Sequence, residues 1–494
     1  MSSSPVLKVT NLSVAFDKRV VNDLNFIVYP GKTTAIVGES GSGKTVSSMA
    51  LMGLLPPSAK IETGDFTELK PGVEISMVFQ DPMSSLNPSM RVGEQVSEPL
   101  IVHENLSKEE ARERAIELFE EVELPDAAIA YDKFPHELSG GQKQRVMIAM
   151  ALACNPQVLI ADEPTTALDV TVQSVILGLV SRLQKERNLG VLFISHDLEV
   201  VRDIADEVIV MRLGEVVEQG EFKAVFNNPQ HEYTKELIAS RPLRNGDGTM
   251  SDGILIEARG VSLDYPVKKN FMGQITEVFG AVKNVNLRID ARERVGLVGE
   301  SGSGKSSLGK LMLGMEKCSE GDIVWKGDVL DFENKGAFKE FKKCAQPVFQ
   351  DPFSALNPRL RIGTALQEAI DLSGINSRVG SLLEEVGLSE EDADKYPSGF
   401  SGGQRQRVVL ARALAMEPEF LVLDESVAAL DLRIQAEILK LISDIQKKRS
   451  LAFLFISHDL SVIEAVCDRV VIMKDGVIVE EGSTESIFKK PENS

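Results

Sequence analysis

The chain has 494 residues, with 54 Lys and Arg against 74 Asp and Glu, and a formal charge of −20. That length accommodates about two to four domains with separate cores, and the acidity argues against a nucleic-acid partner. No apolar run approaches the ~20 residues of a membrane span, and Met1-Ser2-Ser3-Ser4-Pro5 lacks the basic and apolar parts of a signal peptide; the chain is expected in the cytoplasm, or held at a membrane by partners.

The first predicted strand ends in Ala35-Ile36-Val37 and runs into Gly38-Glu39-Ser40-Gly41-Ser42-Gly43-Lys44-Thr45, a complete G-x-x-x-x-G-K-[ST] phosphate loop. Its glycines let successive N–H groups point at phosphate oxygens. Its lysine reaches the β- and γ-phosphates, and the Thr45 hydroxyl suits Mg²⁺. Gln80 follows in Val78-Phe79-Gln80-Asp81-Pro82, ahead of a helical stretch over roughly Glu94–Lys133. Ser139-Gly140-Gly141-Gln142 then opens a helix expected from Gln142 to Ala153; small residues at a helix N-terminus suit an anion. The apolar run Val158–Ala161 ends in Asp162-Glu163. A carboxylate at the end of a buried strand can organise Mg²⁺ and its waters, and the next one is placed to polarise an attacking water. His196 ends another apolar strand, within reach of a γ-phosphate.

The polar stretch 244–253 carries neither helix nor strand periodicity and reads as a linker. After it the series returns in the same order and at a nearly constant offset. Gly299-Glu300-Ser301-Gly302-Ser303-Gly304-Lys305-Ser306 repeats the phosphate loop, Gln350 the glutamine and Ser401-Gly402-Gly403-Gln404 the small helix start, here expected from Gln404 to Met416. Asp424-Glu425 repeats the acidic pair and His458 the histidine. The second half has gained residues between phosphate loop and glutamine and lost about as many before the Ser-Gly-Gly. A period this long marks a duplicated domain. Two phosphate loops in strand context make this a tandem nucleoside-triphosphate enzyme. Cys154, Cys318, Cys344 and Cys467 are too scattered for a C-x-x-C metal site and read as reduced structural thiols.

Phosphate loop, glutamine loop, Leu138-Ser-Gly-Gly-Gln, an apolar run ending in Asp-Glu and a lone histidine, all twice, resemble the nucleotide-binding domains of ABC transporters. The resemblance covers nearly the whole chain. It implies two tandem P-loop α/β domains, over 5–243 and 254–491, each with a mixed or parallel sheet and a helical subdomain. It implies an ATPase that needs ATP and Mg²⁺. Asp162 and Asp424 would handle the metal with Thr45, Ser306, Gln80 and Gln350. Glu163 and Glu425 would be general bases, and His196 and His458 the switch histidines. Ser139–Gln142 and Ser401–Gln404 would complete the ATP site of the opposite domain. Asp169 and Asp431 resemble the loop that couples the two sites, and Phe16 and Tyr265 stand where the family stacks adenine. Phe400 replaces the usual Leu of the signature and Ser426 the Pro found at 164 in the first half, but neither change removes a reacting group.

The motif F-Q-D-P-x-x-[SA]-L-N-P, from Phe79 to Pro88 and Phe349 to Pro358, resembles the ATPase subunits of dipeptide and oligopeptide importers. So do Asn228-Pro229-Gln230-His231-Glu232-Tyr233-Thr234, with Glu232 departing from Pro, and the segment from Tyr265 to Val282. The halves resemble that branch's two subunits, fused. The partners implied are two membrane permeases and, indirectly, an extracytoplasmic solute-binding protein, with the chain peripheral on the cytoplasmic face; neither nucleic acid nor an iron–sulfur cluster is expected. A soluble tandem ATPase of the translation-factor type and a tandem sugar-importer ATPase remain as alternatives. The cargo is not legible.

Overall fold

The computed structural model of the chain describes residues 4–39, 41–80, 85–165, 170–196, 198–239, 253–269, 275–349, 355–374, 377–427, 430 and 432–489. Ser40, Asp169, Gln350 and Asp431 lie outside the described residues, as do Asp81-Pro82 and nearly all of 244–253. The chain divides into two compact units, with the main break between residues 240 and 241.

In the first unit, β1 (Leu7–Ala15) and β2 (Arg19–Val28) form a hairpin, and β3 (Thr33–Val37) leads through the phosphate loop into α1 (Lys44–Leu51). Then come β4 (Lys60–Phe66), β5 (Ile75–Val78), α2 (Val92–Glu104), α3 (Lys108–Glu121) and the single turn α4 (Ala127–Ala130). The order continues as α5 (Gly140–Leu152), β6 (Val158–Asp162), α6 (Val170–Arg187), β7 (Gly190–Ser195), α7 (Leu198–Arg202), β8 (Glu207–Arg212) and β9 (Glu215–Glu221). The unit closes with α8 (Phe222–Asn227) and α9 (Glu232–Ala239).

The main sheet has the order β5-β6-β7-β3-β8-β9. Its first five strands are parallel and β9 is antiparallel at the edge. Side chains alternate across it as the strand period of two requires. Val158 and Ile160 of β6 enter a core shared with β1, β2 and α1. Leu159 and Ala161 enter the core built by α2, α3, α5 and α6. Each fully buried aliphatic side chain stabilises the fold by about 1.5–3 kcal/mol, so apolar runs of β6 type are committed to the centre of a layered domain. The first of these cores rests on a separate antiparallel sheet, β2-β1-β4, which sequence reading did not anticipate. Its β1–β4 pairing joins residues about fifty apart in the chain, Val9 with Phe66 and Ala15 with Lys60, and leaves no local pattern.

The second unit repeats this plan. Its strands are β10 (Ile254–Lys269), β11 (Ile275–Asp290), β12 (Arg294–Val298), β13 (Glu320–Trp325), β14 (Asp328–Val329), β15 (Ala345–Val348), β16 (Phe420–Asp424), β17 (Ala452–Ile456), β18 (Arg469–Lys474) and β19 (Val477–Ser483). The main sheet is β15-β16-β17-β12-β18-β19 and the smaller one β11-β10-β13-β14. The helices are α10 (Lys305–Met312), α11 (Lys335–Cys344), α12 (Ile362–Ser373), α13 (Val379–Glu385), α14 (Gly402–Leu414), α15 (Leu432–Arg449), α16 (Leu460–Val466) and α17 (Thr484–Lys489). The residues gained after the phosphate loop are β14 and α11. Those lost before the signature shorten the helical insertion, where α13 is half the length of α3. All four cysteines are free thiols. Burial pushes the thiols of Cys154, Cys318 and Cys344 up, and that of fully enclosed Cys467 furthest.

Candidate active sites

The strand order brings β6, β7 and β3 side by side, all pointing the same way. Their C-terminal ends therefore present Asp162-Glu163, His196 and the phosphate loop at one rim, the crevice where open α/β sheets bind ligands. In the second unit β16, β17 and β12 do the same for Asp424-Glu425, His458 and Gly299–Ser306.

The phosphate loop is held closely. Gly43 has φ 98° and Gly304 φ 100°, conformations that side chains rarely adopt. A Cβ there would also lie 2.7 Å from the Val20 carbonyl oxygen and 2.1 Å from that of Ala281, so both positions require glycine. Gly38, Glu39, Gly41, Ser42, Gly299, Glu300, Ser301, Gly302 and Ser303 complete the two loops. Lys44 Nζ donates to the carbonyls of Gly38 at 2.7 Å and Glu39 at 2.9 Å. Lys305 Nζ does so to Gly299 and Glu300, both at 2.7 Å. Each ammonium is thus fixed over its own loop, 5–6 % exposed. Ser42 Oγ is buried with no hydrogen-bond partner among the described residues, a polar atom of the loop left for a ligand.

Thr45 Oγ1 donates to Asp162 Oδ1 at 3.3 Å, and Ser306 Oγ to Asp424 Oδ1 at 3.1 Å. Burial pushes the Asp162 carboxyl up to about 6 against the hydrogen bond from Thr45, with the neighbouring Glu163 adding to the rise. Asp424 is raised for the same first reason. A buried carboxylate beside a hydroxyl is a hard-oxygen donor pair, and it fits Mg²⁺.

Glu163 and Glu425 are held in the left-handed region, φ 46° and 45°, which costs a non-glycine residue on the order of 1–2 kcal/mol. Their N–H groups stay paired with the neighbouring strand: Glu163 N–H donates to the Ile194 carbonyl and Glu425 N–H to that of Ile456, both at 2.9 Å. Each carboxylate then meets a histidine. His196 Nδ1 lies 3.2 Å from Glu163 Oε1, and His458 Nδ1 3.3 Å from Glu425 Oε1. The contact lowers the Glu425 carboxyl and raises the His458 imidazole, each chiefly through their hydrogen bond. Gln80 Nε2 donates to Glu163 Oε2 at 2.8 Å. The contact of each histidine with the glutamate is a tertiary relation with no local signature in the sequence.

The signature helices begin two residues earlier than the sequence pattern suggested, at Gly140 and Gly402. Ser139 and Ser401 are their N-caps, in capping boxes that leave the glycines at the first two helical positions. Gln142 N–H donates to Ser139 Oγ at 3.3 Å while Gln142 Oε1 accepts from Ser139 N–H at 3.0 Å. Gln404 and Ser401 repeat both bonds. Gly141 and Gly403 have a packing reason to be glycine. A Cβ would lie 2.6 Å from Val172 Cγ1 in one unit and 2.4 Å from Ile434 Cγ2 in the other. Phe16 is 37 % exposed at the turn between β1 and β2, and Tyr265 is half-buried in β10 opposite Phe279 of β11.

Residues 21–166 and 282–428 match the family model described as ABC transporter. The glutathione import ATP-binding protein GsiA of Escherichia coli (strain K12) is 40 % identical, over 100 % of this chain and 88 % of its own length. The protein of that name from Salmonella typhimurium (strain LT2) is 38 % identical over the same shares. Among solved structures, an archaeal ribosome recycling factor, aABCE1, in complex with the stalk protein aP1 matches 94 % of this chain and 88 % of its own, with TM-score 0.64 and 21 % identity. The RNase-L inhibitor matches with TM-score 0.65, 20 % identity, 95 % of this chain and 90 % of its own. At those identities the structural likeness speaks for the tandem fold alone. With both halves matched by the family model and the full length aligned to import ATP-binding proteins, the chain belongs to the ABC transporter family and carries two of its ATPase domains in one polypeptide.

Proposed function

We propose that this protein is the energy-coupling ATPase of a membrane importer for glutathione, peptides or similar small solutes. The observation that carries the reading is the twofold recurrence of one arrangement: lysine, hydroxyl and aspartate, with a glutamate in contact with a histidine, at the rim of each main sheet. Asp162 with Thr45, and Asp424 with Ser306, would hold Mg²⁺, which supplies charge neutralisation at the phosphates. Lys44 and Lys305 hold the β- and γ-phosphates. Glu163 and Glu425 accept the proton of the attacking water, and His196 and His458 orient them. Phe16 and Tyr265 stack on adenine. In the working cycle the capped helix starts at Ser139 and Ser401 complete the ATP site of the opposite domain, while Asp169 and Asp431 couple the two sites. The domains run over 5–243 and 254–491 with 244–253 as the link.

No helix among the described residues is long and apolar enough to cross a membrane. The partners we propose are two integral permeases, with a solute-binding protein on the far side and this chain on the cytoplasmic face. Full-length likeness to proteins named for glutathione import supports this choice, and glutathione is the first cargo to try. The test is gentle solubilisation of native membranes, capture of this chain and mass spectrometry of what accompanies it. Two polytopic membrane proteins are expected. Ribosomal proteins without a membrane partner would overturn the importer reading in favour of a soluble factor.

A further inference from the structure

The segment from Gln230 to Thr234, which the sequence marks only by resemblance, ends on the phosphate loop of its own unit. Tyr233 in α9 is 1 % exposed, and its hydroxyl accepts a hydrogen bond from Glu39 N–H at 3.0 Å. The Glu39 carbonyl on the same residue accepts from Lys44 Nζ at 2.9 Å and from Ser42 N–H at 3.2 Å. Glu39 is therefore pinned at both ends, by the protein at its amide and by the loop at its carbonyl. The tyrosine is itself immobilised. The Arg212 guanidinium lies 4.8 Å from the centre of its ring, and its N–H donates to His231 Nδ1 at 3.2 Å. The Glu218 carboxylate accepts from the N–H groups of Gln230 at 2.8 Å and His231 at 3.1 Å, which fixes α9 to β9.

Given that Gly38–Thr45 holds ATP phosphates, we infer that Tyr233 is a positioning residue for that loop: its hydroxyl sets the Glu39 peptide, and through it Lys44, in the orientation that receives the phosphates. It touches no reacting atom. A buried tyrosine hydroxyl that served stability alone would need only some partner; here the partner is the first peptide after the strand of the phosphate loop. Because α9 is also the last described element before the break at residue 240, the same bond ties the chain segment leaving the first domain to that domain's nucleotide loop.

The test uses the full-length chain. In the nucleotide-free protein, residue-resolved hydrogen exchange is expected to show a protected Glu39 amide, exchanging about 5-fold faster in Tyr233→Phe, the effect of one lost hydrogen bond. ATP affinity at the first site, measured with the second disabled by Lys305→Ala, is expected to weaken about 5-fold in Tyr233→Phe. Affinity at the second site, measured with Lys44→Ala, is expected to stay unchanged. An unprotected Glu39 amide in the unmutated protein overturns the inference, as does an unchanged first-site affinity or an equal loss at both sites. If Lys44→Ala leaves ATP binding by the first domain intact, the ATP-site reading fails with it; if Lys44→Ala abolishes binding and Tyr233→Phe changes nothing, only the role of Tyr233 fails.

Discussion

His458 Nδ1 stands 3.3 Å from Glu425 Oε1, so the proposed base and the proposed switch residue form one titrating pair. Glu425 is lowered from 4.5 and His458 raised from 6.5, each by the other. The glutamate's share of stability is present above pH 4.5 and is lost as pH falls through its lower folded value. The histidine's share is complete below pH 6.5 and is lost as pH rises through its higher folded value. His458→Ala should therefore cost most at about pH 6, on the order of 1 kcal/mol for a pair still in partial contact with solvent, and little at about pH 9. Thermal melts of the two proteins across that range measure it. A cost that does not change with pH would show that the contact is not an ion pair.

Phe400 and Ser426 in the second half remove none of the groups proposed to react. Glu163→Gln and Glu425→Gln are each expected to reduce steady-state ATP turnover to about half or less, and together by about 10²-fold, the usual contribution of a positioned base. Single-site mutants assayed side by side decide it. If one substitution leaves turnover intact while the other abolishes it, hydrolysis belongs to one site only.

What the sequence made legible is what a short stretch of chain encodes. The phosphate loops, the capped helix starts at Ser139 and Ser401 and the carboxylate ends of β6 and β16 are each contained within a dozen residues and a strand or helix signal. What was illegible depends on pairing across the fold. The β1–β4 ladder, the bond from Glu163 N–H to the Ile194 carbonyl and the Tyr233–Glu39 bond across 194 residues have no local pattern. Tyr233 sat within a recognised segment, yet nothing in its neighbours indicated where its hydroxyl would point.

Asp162 offers a second pH test. Burial holds its proton until about pH 6, and a cation can bind only the ionised form. Mg²⁺-dependent nucleotide binding at the first site should fall with pH below about 6, approaching one proton taken up per ion released. Thr45→Ala removes the hydrogen bond that favours the charged form, so the midpoint should move to higher pH. Affinity titrations over that range, with Lys305→Ala disabling the second site, provide the measurement. A midpoint that stays in place in Thr45→Ala would mean that the hydroxyl does not govern this carboxyl.

The repeat also allows one aspartate to be compared in two settings. Asp206 and Asp468 both precede the penultimate strand of their main sheet. Asp206 accepts from Lys32 Nζ, whose side chain is 57 % exposed, and such surface pairs contribute about 0–1 kcal/mol. Asp468 accepts two bonds from Arg294, Nε at 2.9 Å and Nη2 at 2.6 Å, and the arginine side chain is only 4 % exposed. Arg294 also opens β12, and its carbonyl accepts from Asp468 N–H at 2.8 Å. Lys32→Ala should therefore be nearly neutral, whereas Arg294→Ala should destabilise the second domain by about 1–3 kcal/mol, the cost of losing hydrogen bonds to a charged group, because Asp468, itself 32 % exposed, stays within reach of water. Arg294→Lys keeps the charge but cannot form the fork, so it should fall between the two. Denaturant unfolding of the three variants tests the order, and equal losses for Lys32→Ala and Arg294→Ala would mean that burial of the arginine does not set the strength of its pair.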